Sequence, residues 1–303
     1  MAYDISNFAD YVAKESTVLT KTLFAGGDSG HFAMFMTNVK GSTNVPHLSG
    51  TANLQSGSCA TPSGTTTITD VTLTVKPFTV FEGFCNDELQ EKLPNTVIAP
   101  GSNNGDELPF EEEIVNTKIA SINEQLELTY WQGDTTGTYT LFDGWIKLID
   151  ADSNVIEGNS TSATSITQSN VKQLVADMRT SATAKVKRSK DYVTLVGDDV
   201  FDTYIAKEKA DNLYHYKPEH DNGIYDIGGG QGKLIRCYGL DGTGRMFSSI
   251  GSNFIVGSDI ENESQVADVF YDQKDDKMYI RVKAKAGVQI QNADEIVEFT
   301  LSA

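Results

Sequence analysis

A single long amphipathic helix is the feature that most constrains this fold. Residues 110–131 read FEEEIVNTKIASINEQLELTYW, in which Val115, Ile119, Ile122 and Leu126 recur at steps of four, three and four. That spacing places the four aliphatic side chains on one stripe of a helix. Glutamates in the first turn favour the positive end of the helix dipole. At ~1.5 Å per residue the helix is roughly 30 Å long, so much of the chain must pack along it.

A strand near the C-terminus alternates between a basic face and an apolar face. The basic face holds Lys277, Tyr279, Arg281, Lys283 and Lys285, and the other face holds Met278, Ile280, Val282, Ala284 and Ala286. Strand side chains point to opposite faces with a period of two. The pattern therefore predicts a strand whose small apolar face is buried.

A long hairpin is predicted before the helix. Residues 31–39 form a β-like run, and residues 66–78 alternate again with Val71, Leu73 and Val75 on one face. Between these runs, residues 40–66 are rich in Gly, Ser, Thr and Pro. A polar tip of this length is unusual inside a compact domain and indicates a functional segment or disorder.

The remaining segments predict an α+β protein. Residues 138–152 are interpreted as a β segment after the long helix, and residues 167–185 as a second amphipathic helix. A buried strand at residues 192–197 precedes a helix at residues 198–210, with Asp198 or Asp199 as its expected N-cap. Further strands are predicted within residues 232–240, 252–259, 266–273 and 295–302.

Composition excludes several functional classes. The 303 residues carry a net charge of −18, which disfavours a broad basic surface for gripping nucleic acid or an anionic membrane. Cys59, Cys85 and Cys237 are odd in number and lack CxxC spacing, so neither a disulfide framework nor a zinc site is expected. No apolar run approaches the length that spans a bilayer, and the N-terminus lacks the pattern of a signal peptide.

The sequence offers no convincing catalytic, cofactor or metal site. The glycine-rich stretch at residues 228–234 departs from a phosphate-binding loop at Ile227 and Leu234. Residues 150–158 begin like a calcium loop but have Val155 at the glycine position. The four histidines are scattered, and no nucleophile motif occurs. A hydrolase with paired carboxylates remains an alternative for which no pair stands out.

The order of the elements resembles the major capsid protein of tailed bacteriophages, with its Hong Kong 97-type fold. The C-terminal stretch, SNFIVGSDIENESQVADVFYDQKDDKMYIRVKAKAGVQIQNADEIVEFTL, carries the most specific likeness. It runs as an apolar strand, a turn, an acidic loop, the basic strand, AGV and a closing EIV. The same fold also serves prokaryotic encapsulin-type nanocompartments, so a compartment shell is the alternative function.

The resemblance implies names for five parts of the chain. Residues 1–30 would be an N-terminal arm, 31–78 an extended E-loop hairpin, 79–158 a P-domain with its spine helix at 110–131, 159–271 an A-domain, and 272–303 a C-terminal β element returning to the P-domain. The stripe of Val115, Ile119, Ile122 and Leu126 would be the core of the spine helix.

The resemblance also implies a function and partners. The chain would assemble into hexamers and pentamers of an icosahedral shell enclosing double-stranded DNA, without sequence-specific DNA binding. A separate scaffolding protein, a portal, and minor or decoration proteins would be partners. The protein would be made in the host cytoplasm and reside in the virion capsid.

The basic strand then has a candidate role at the interface between subunits. Its apolar face would pack on the spine helix, and Lys277, Arg281, Lys283 and Lys285 would face acidic edges of neighbouring subunits. Lys40, near the hairpin, is assigned to the same interface. The alternative is a solvated basic face, which is common in half-exposed sheets.

Overall fold

The computed structural model describes residues 27–56, 63–85, 109–211, 223–227, 230, 232–259, 267–272, 274 and 277–302. Most of the predicted N-terminal arm, residues 1–26, lies outside this part of the chain, as do residues 86–108 of the predicted P-domain. The side chain of Val115 is also outside the described set.

Five α-helices occur in the described residues. They are α1 (Pro109–Gln132), α2 (Trp145–Asp150), α3 (Val171–Ser181), α4 (Ala184–Lys187) and α5 (Asp198–Ala210). The long helix agrees with its sequence prediction to within a residue at each end. Asp198 and Asp199 lie in the first turn of α5, and its N-cap is Gly197, one residue earlier than expected.

Thirteen strands occur in the same residues. They are β1 (Met34–Met36), β2 (Ser42–Ala52), β3 (Gly64–Thr74), β4 (Lys76–Cys85), β5 (Ile156–Glu157), β6 (Tyr192–Val196), β7 (Ile224–Asp226), β8 (Lys233–Arg236), β9 (Met246–Ile250), β10 (Phe254–Asp259), β11 (Ala267–Asp272), β12 (Lys277–Ile290) and β13 (Val297–Phe299).

The strands form two sheets and a separate two-stranded ribbon. In the five-stranded sheet the long strand β12 is central, with β4 on one edge and both β10 and β11 on the other. Strand β1 lies parallel to β10 at the outer edge. The six-stranded sheet has the order β5-β13-β9-β6-β8-β7, and β2 pairs only with β3.

Each of the two sheets combines strands from more than one of the five blocks named above. Strands β10 and β11 fall inside residues 159–271 but pair with β12, and β13 falls inside residues 272–303 but pairs with β9 of the other sheet. Hydrogen bonding between strands decides sheet membership, and contiguous sequence blocks do not reveal it.

The main core joins the long helix to both sheets. Its centre is aromatic: the ring centroids of Trp131 and Trp145 are 4.9 Å apart, and that of Phe254 is 5.4 Å from Trp145. Ile119, Ile122 and Leu126 of α1 belong to the same buried cluster, together with Ile280, Val282, Ala284 and Ala286 of β12. A second cluster fills the space between the six-stranded sheet and helices α3 and α5.

The predicted β segment at residues 138–152 is wrong, because it contains helix α2. Trp145 and Ile149 lie one helical turn apart and are both buried. Before it the chain doubles back, and the amide of Gly144 donates to the carbonyl of Gly133 at 2.8 Å. A Cβ on Gly133 would lie 2.4 Å from the Phe142 carbonyl oxygen, so only glycine fits this turn. Short apolar runs do not distinguish a strand from a buried helical turn.

The predicted hairpin exists and β3 confirms its second strand, but its first strand is not the expected one. Strand β1, within residues 31–39, pairs with β10 and takes no part in the hairpin. The supposed polar tip supplies most of the ribbon, because β2 pairs with β3 from Ser42↔Thr74 to Ala52↔Gly64. Threonine is β-branched and suits a strand. A ribbon with solvent on both faces needs no apolar alternation, so the spacing of apolar residues did not reveal strand β2.

Candidate subunit interface

The β2–β3 ribbon projects from the body with both faces in solvent. Every residue of Leu48–Ala52 and Gly64–Asp70 is exposed, whereas Val45 and Leu73 near its root are buried. Polar cross-strand pairs hold it, such as the hydroxyls of Thr51 and Thr65 at 3.0 Å. An isolated two-stranded hairpin is marginally stable in water. The ribbon therefore depends on its root and on whatever it contacts outside this chain.

Two aliphatic residues are displayed together on this ribbon. Leu48 is 66% exposed, Ile68 is 67% exposed, and the two are directly opposite in the register. Opposite residues of an antiparallel pair share a face. They lie on the face opposite to Val45 and Leu73, whose side chains face the body. An exposed apolar pair on a projecting ribbon is the kind of surface that becomes buried on association.

The basic strand alternates in burial as its sequence indicates. Ile280, Val282 and Ala284 are buried, Lys283 is exposed, and Arg281 is half-buried. Arg281 is not a free cation, because its guanidinium carbon lies 5.5 Å from the centre of the Phe270 ring. This face of β12 is therefore basic and aromatic, not simply a row of solvated charges.

An aromatic cluster lies on that same face, and sequence reasoning missed it. The rings of Phe81 and Tyr279 stack at 5.0 Å with an interplanar angle of 6°, and Phe270 lies 5.6 Å from Tyr279. The ring of Tyr279 covers Gly83 on the neighbouring strand, since a Cβ there would lie 2.6 Å from it. Phe81 remains 56% exposed and Phe270 36% exposed. Aromatic residues and arginine are enriched in protein interfaces.

The cluster comes from three strands, of which β4 is distant in sequence from the consecutive strands β11 and β12. Phe81 belongs to β4, Phe270 to β11 and Tyr279 to β12. The alternation of residues 76–85 was the available signal, since Phe78 and Val80 point to the core and Phe81 points the other way. Without the pairing, nothing connects these residues to one another. We call this surface, with Arg281 and Lys283, the aromatic–basic face.

Lys285 has hydrogen-bond and ion-pair partners within its own chain. Its Nζ lies 2.9 Å from Asp259 Oδ2 and donates to the Lys40 carbonyl oxygen at 3.2 Å. The physical reason is its register partner, because Lys285 lies directly opposite Asp259 on β10. This residue joins the ribbon root to the five-stranded sheet within one chain. Lys277 is half-buried at the start of the strand, and Lys40 is exposed at the ribbon root.

A buried carboxylate anchors the first described residues to the long helix. Glu127 accepts hydrogen bonds from the Ser29 amide at 3.1 Å and from the Ser29 hydroxyl at 2.7 Å. Burial raises the pKa of Glu127 from 4.5 to about 7, against the lowering effect of these bonds, and Asp28 raises it further. Asp28 itself accepts from the Tyr238 amide at 2.8 Å. These hydrogen bonds fix Asp28 and Ser29 against Tyr238 and the long helix.

The described residues contain no group of three or more His, Cys, Asp and Glu side chains placed to hold a metal ion. His215, His220 and part of the glycine-rich stretch at 228–234 lie outside them. In the calcium-like loop, Asp150 pairs with Arg245 at 2.7 Å. Within the same portion of the chain, no helix has the length and apolar character needed to cross a membrane.

Comparison with solved structures shows likeness to phage capsids along nearly the whole chain. The capsid of an empty GTA particle matches with a TM-score of 0.61 at 10% identity, covering 91% of this chain and 90% of that one. The satellite phage P4 procapsid including size determination (Sid) protein matches with a TM-score of 0.61 at 10% identity, over 94% and 98%. The capsid of Myoviridae phage XM1 matches with a TM-score of 0.54 at 14% identity, over 91% and 90%.

Sequence comparison adds nothing to these likenesses. No protein-family model matches the chain, and no curated protein sequence matches it. At 14% identity or less, the structural likenesses establish a shared fold and leave the function to be argued from the residues.

Proposed function

We propose that this chain, which has the fold of tailed-bacteriophage major capsid proteins, is a structural shell protein whose copies join through the β2–β3 ribbon. The observation that carries the proposal is the ribbon itself. It exposes Leu48 and Ile68 on a segment that builds no core of its own. The likeness to phage capsids over nine tenths of both chains supports a shell as the assembled state.

The aromatic–basic face is the proposed receiving surface. Strands β3 and β4 are separated only by Val75, so the ribbon and this face lie at opposite ends of one extended run. Fully extended, the run from Ile68 to Phe81 spans about 40 Å, which favours contact between the two surfaces of different copies. Asp70, on the Leu48–Ile68 face of the ribbon, complements Arg281 and Lys283. Head-to-tail contacts of this kind close into rings when the rotation permits.

The finer proposal is that these rings are hexamers and pentamers of an icosahedral shell around double-stranded DNA. In it, residues 1–30 are the N-terminal arm, 31–78 the E-loop, 79–158 and 272–303 mainly the P-domain, and 159–271 mainly the A-domain, with α1 as the spine helix. A net charge of −18 suits a wall that lies beside DNA without adhering to it. A separate scaffolding protein, a portal, and minor or decoration proteins are the proposed partners, and the virion is the proposed location.

The proposed role is structural and not enzymatic, in keeping with the capsid neighbours. The encapsulin-type nanocompartment is not favoured, because the similar structures are capsids of phages and GTA particles. DNA that resists nuclease inside particles purified from infected cells supports the virus. Particles that hold only protein cargo support the compartment.

The function is tested by shortening the ribbon. Replacing residues 46–70 with Asn-Gly retains the opposed pair Val45↔Val71 at the root and supplies a two-residue hairpin turn. The monomer is expected to stay folded, since the removed residues that the structure describes are all exposed except the half-buried His47. Particle formation, followed by sedimentation velocity and electron microscopy, is expected to be lost.

A length-matched variant separates the apolar contact from ribbon length. Leu48→Thr with Ile68→Thr keeps strand-forming residues and removes the exposed aliphatic pair. It is expected to assemble only at higher protein concentration than the parent, whereas Ser49→Thr on the other face is expected to behave as the parent. Normal particles from the shortened chain would refute the proposed role of the ribbon.

A further inference from the structure

The ribbon root lies in a notch made by two glycines on the five-stranded sheet. Gly257 of β10 is directly opposite Gly287 of β12. A Cβ on Gly287 would lie 2.2 Å from the Thr74 carbonyl oxygen, and one on Gly257 would lie 2.7 Å from Leu73 Cδ2. Neither glycine has a φ in the left-handed region. Space, not backbone conformation, therefore requires glycine at both positions.

Two apolar side chains fill this notch. Leu73 is fully buried and Val75 is 4% exposed, and both form a small core cluster with Val45 and Ile255. The backbone between them, at Thr74, passes directly over Gly287. The ribbon thus crosses β12 at a position where any side chain would lift it.

Polar side chains hold both ribbon strands on either side of the crossing. Gln289 Nε2 donates to the Thr72 carbonyl oxygen at 2.9 Å, and Gln291 Nε2 donates to that of Pro46 at 3.2 Å. On the other side of Gly287, Lys285 donates to the Lys40 carbonyl oxygen at 3.2 Å. Lys285, Gly287 and Gln289 alternate along β12, so they share a face, and Gln291 directly follows the end of that strand.

The direction of the ribbon is decided at this crossing. Beyond it, from Leu48 to Ala52 and from Gly64 to Asp70, the residues are exposed. An 11-residue strand is about 35 Å long, so a tilt of about 8° at the root displaces the tip by about 5 Å. That displacement equals the spacing between neighbouring strands and would change which residues the ribbon meets.

We propose that the Gly257–Gly287 notch, with the clamp formed by Lys285, Gln289 and Gln291, is a seat that sets the angle of the ribbon and thereby the geometry in which a second copy is bound. The inference rests on the proposed function for its consequence in assembly. The seat itself is a property of the single chain and is measurable there.

The test is a graded series of glycine-to-alanine variants. The added Cβ of Gly287→Ala would lie against backbone, so Thr74 must move by about 1 Å. Over a contact with the sheet that is about 7 Å long, this movement corresponds to the tilt of about 8°. Gly257→Ala presses on the ends of two side chains that can turn, so its effect is smaller. Gly41→Ala is the matched control, because a Cβ there meets nothing within 4 Å.

The readout is a distance distribution between spin labels on unnatural amino acids at Thr51 and Lys190, both exposed, in the dilute monomer. Gly287→Ala is expected to shift the mean distance by up to about 5 Å or to broaden it, Gly257→Ala to do so less, and Gly41→Ala to leave it unchanged. Gln289→Ala removes the hydrogen bond to the Thr72 carbonyl oxygen and adds no steric clash, so it is expected to broaden the distance distribution. If Gly287→Ala does not fold, Gly257→Ala and Gln289→Ala decide the question.

Assembly is scored separately, as the diameters of particles seen by electron microscopy. The inference predicts altered diameters or open sheets for Gly287→Ala and parental particles for Gly41→Ala. Parental distances in the folded seat variants would overturn the seat, even if assembly occurs. Shifted distances with unchanged particles would overturn its role in assembly. A parent that never assembles would overturn the proposed function and leave the seat to be judged by the distances alone.

Discussion

Replacing Glu127 with glutamine should remove a large part of the pH dependence of stability. Glu127 is 4% exposed and accepts two hydrogen bonds from Ser29. Its pKa is raised from 4.5 to about 7, chiefly by burial, so the folded state holds a proton that the unfolded state has already lost. The free energy of unfolding therefore falls as the pH rises from about 4.5 to about 7, and is flat above the folded pKa.

The magnitude follows from the same values. A rise of the pKa from 4.5 to about 7 corresponds to about 3 kcal/mol, at ~1.4 kcal/mol for each tenfold change in proton affinity. Glutamine keeps an amide oxygen for the Ser29 amide and cannot ionise. The variant should therefore equal or exceed the parent in stability at pH 8 and lose most of this slope.

Denaturant unfolding of dilute monomer at several pH values from 4.5 to 8 measures the effect. Burial also raises the pKa of Glu298 to about 7, against the lowering effect of Arg245, so part of the slope is expected to remain. Glu124→Gln is the control, because Glu124 lies one turn away on α1 and is exposed. If Glu127→Gln and the parent lose stability equally between pH 5 and pH 8, the reasoning about this buried carboxylate is wrong.

Three further variants probe the core and the proposed interface. Ile122→Ala removes a buried aliphatic group from the main cluster and should cost about 2–5 kcal/mol in the free energy of unfolding, measured with denaturant. Phe81→Ser should raise the concentration needed for assembly about tenfold, since burying the exposed part of the ring is worth about 1–2 kcal/mol, while Thr79→Ser on the same face should not. Lys283→Glu should weaken assembly at low salt and lose its effect near 1 M salt, where screening acts over about 3 Å, and Lys190→Glu serves as the charge-matched control. A normal monomer stability after the first change, or parental assembly after the other two, would contradict the account.

The long helix and the central strand were predictable because one side of each is buried. Ile119, Ile122 and Leu126 keep the helical spacing, and Ile280, Val282 and Ala284 keep the strand spacing. In both cases one side of the element faces the core and the other faces solvent, so apolar residues recur with the period of that element. The likeness to capsid proteins of tailed phages could also be recognised from the sequence, because it depends on the order of such elements.

The ribbon strands and helix α2 were not predictable in the same way. Both faces of the ribbon are wet, so Thr65, Thr67 and their neighbours carry no apolar alternation. Helix α2 has six residues, which is too short for its period to be distinguished from that of a strand. In each case tertiary contacts, at Leu73 for the ribbon root and at Trp145 for the helix, decide the conformation.

Only part of the candidate interface could be predicted from the sequence. The basic side chains of β12 were visible, but Phe270 joins them through the pairing of β11 with β12, and Phe81 joins them only through the pairing of β12 with β4, which is distant in the chain. The pairing of β10 with β12 places Asp259 beside Lys285, a partner that the sequence pattern did not reveal. Residue type and period predict exposure, whereas the partner of an exposed charge depends on the register of the sheet.

Electron cryo-microscopy of the purified protein under assembly conditions decides whether the ribbon joins one copy to the next. The account predicts closed shells in which the ribbon of each copy leaves its own body and lies on the next copy, with Leu48 and Ile68 against Phe81, Phe270 and Tyr279. Monomers that never associate at high concentration, or shells in which the ribbon contacts no other copy, would contradict it.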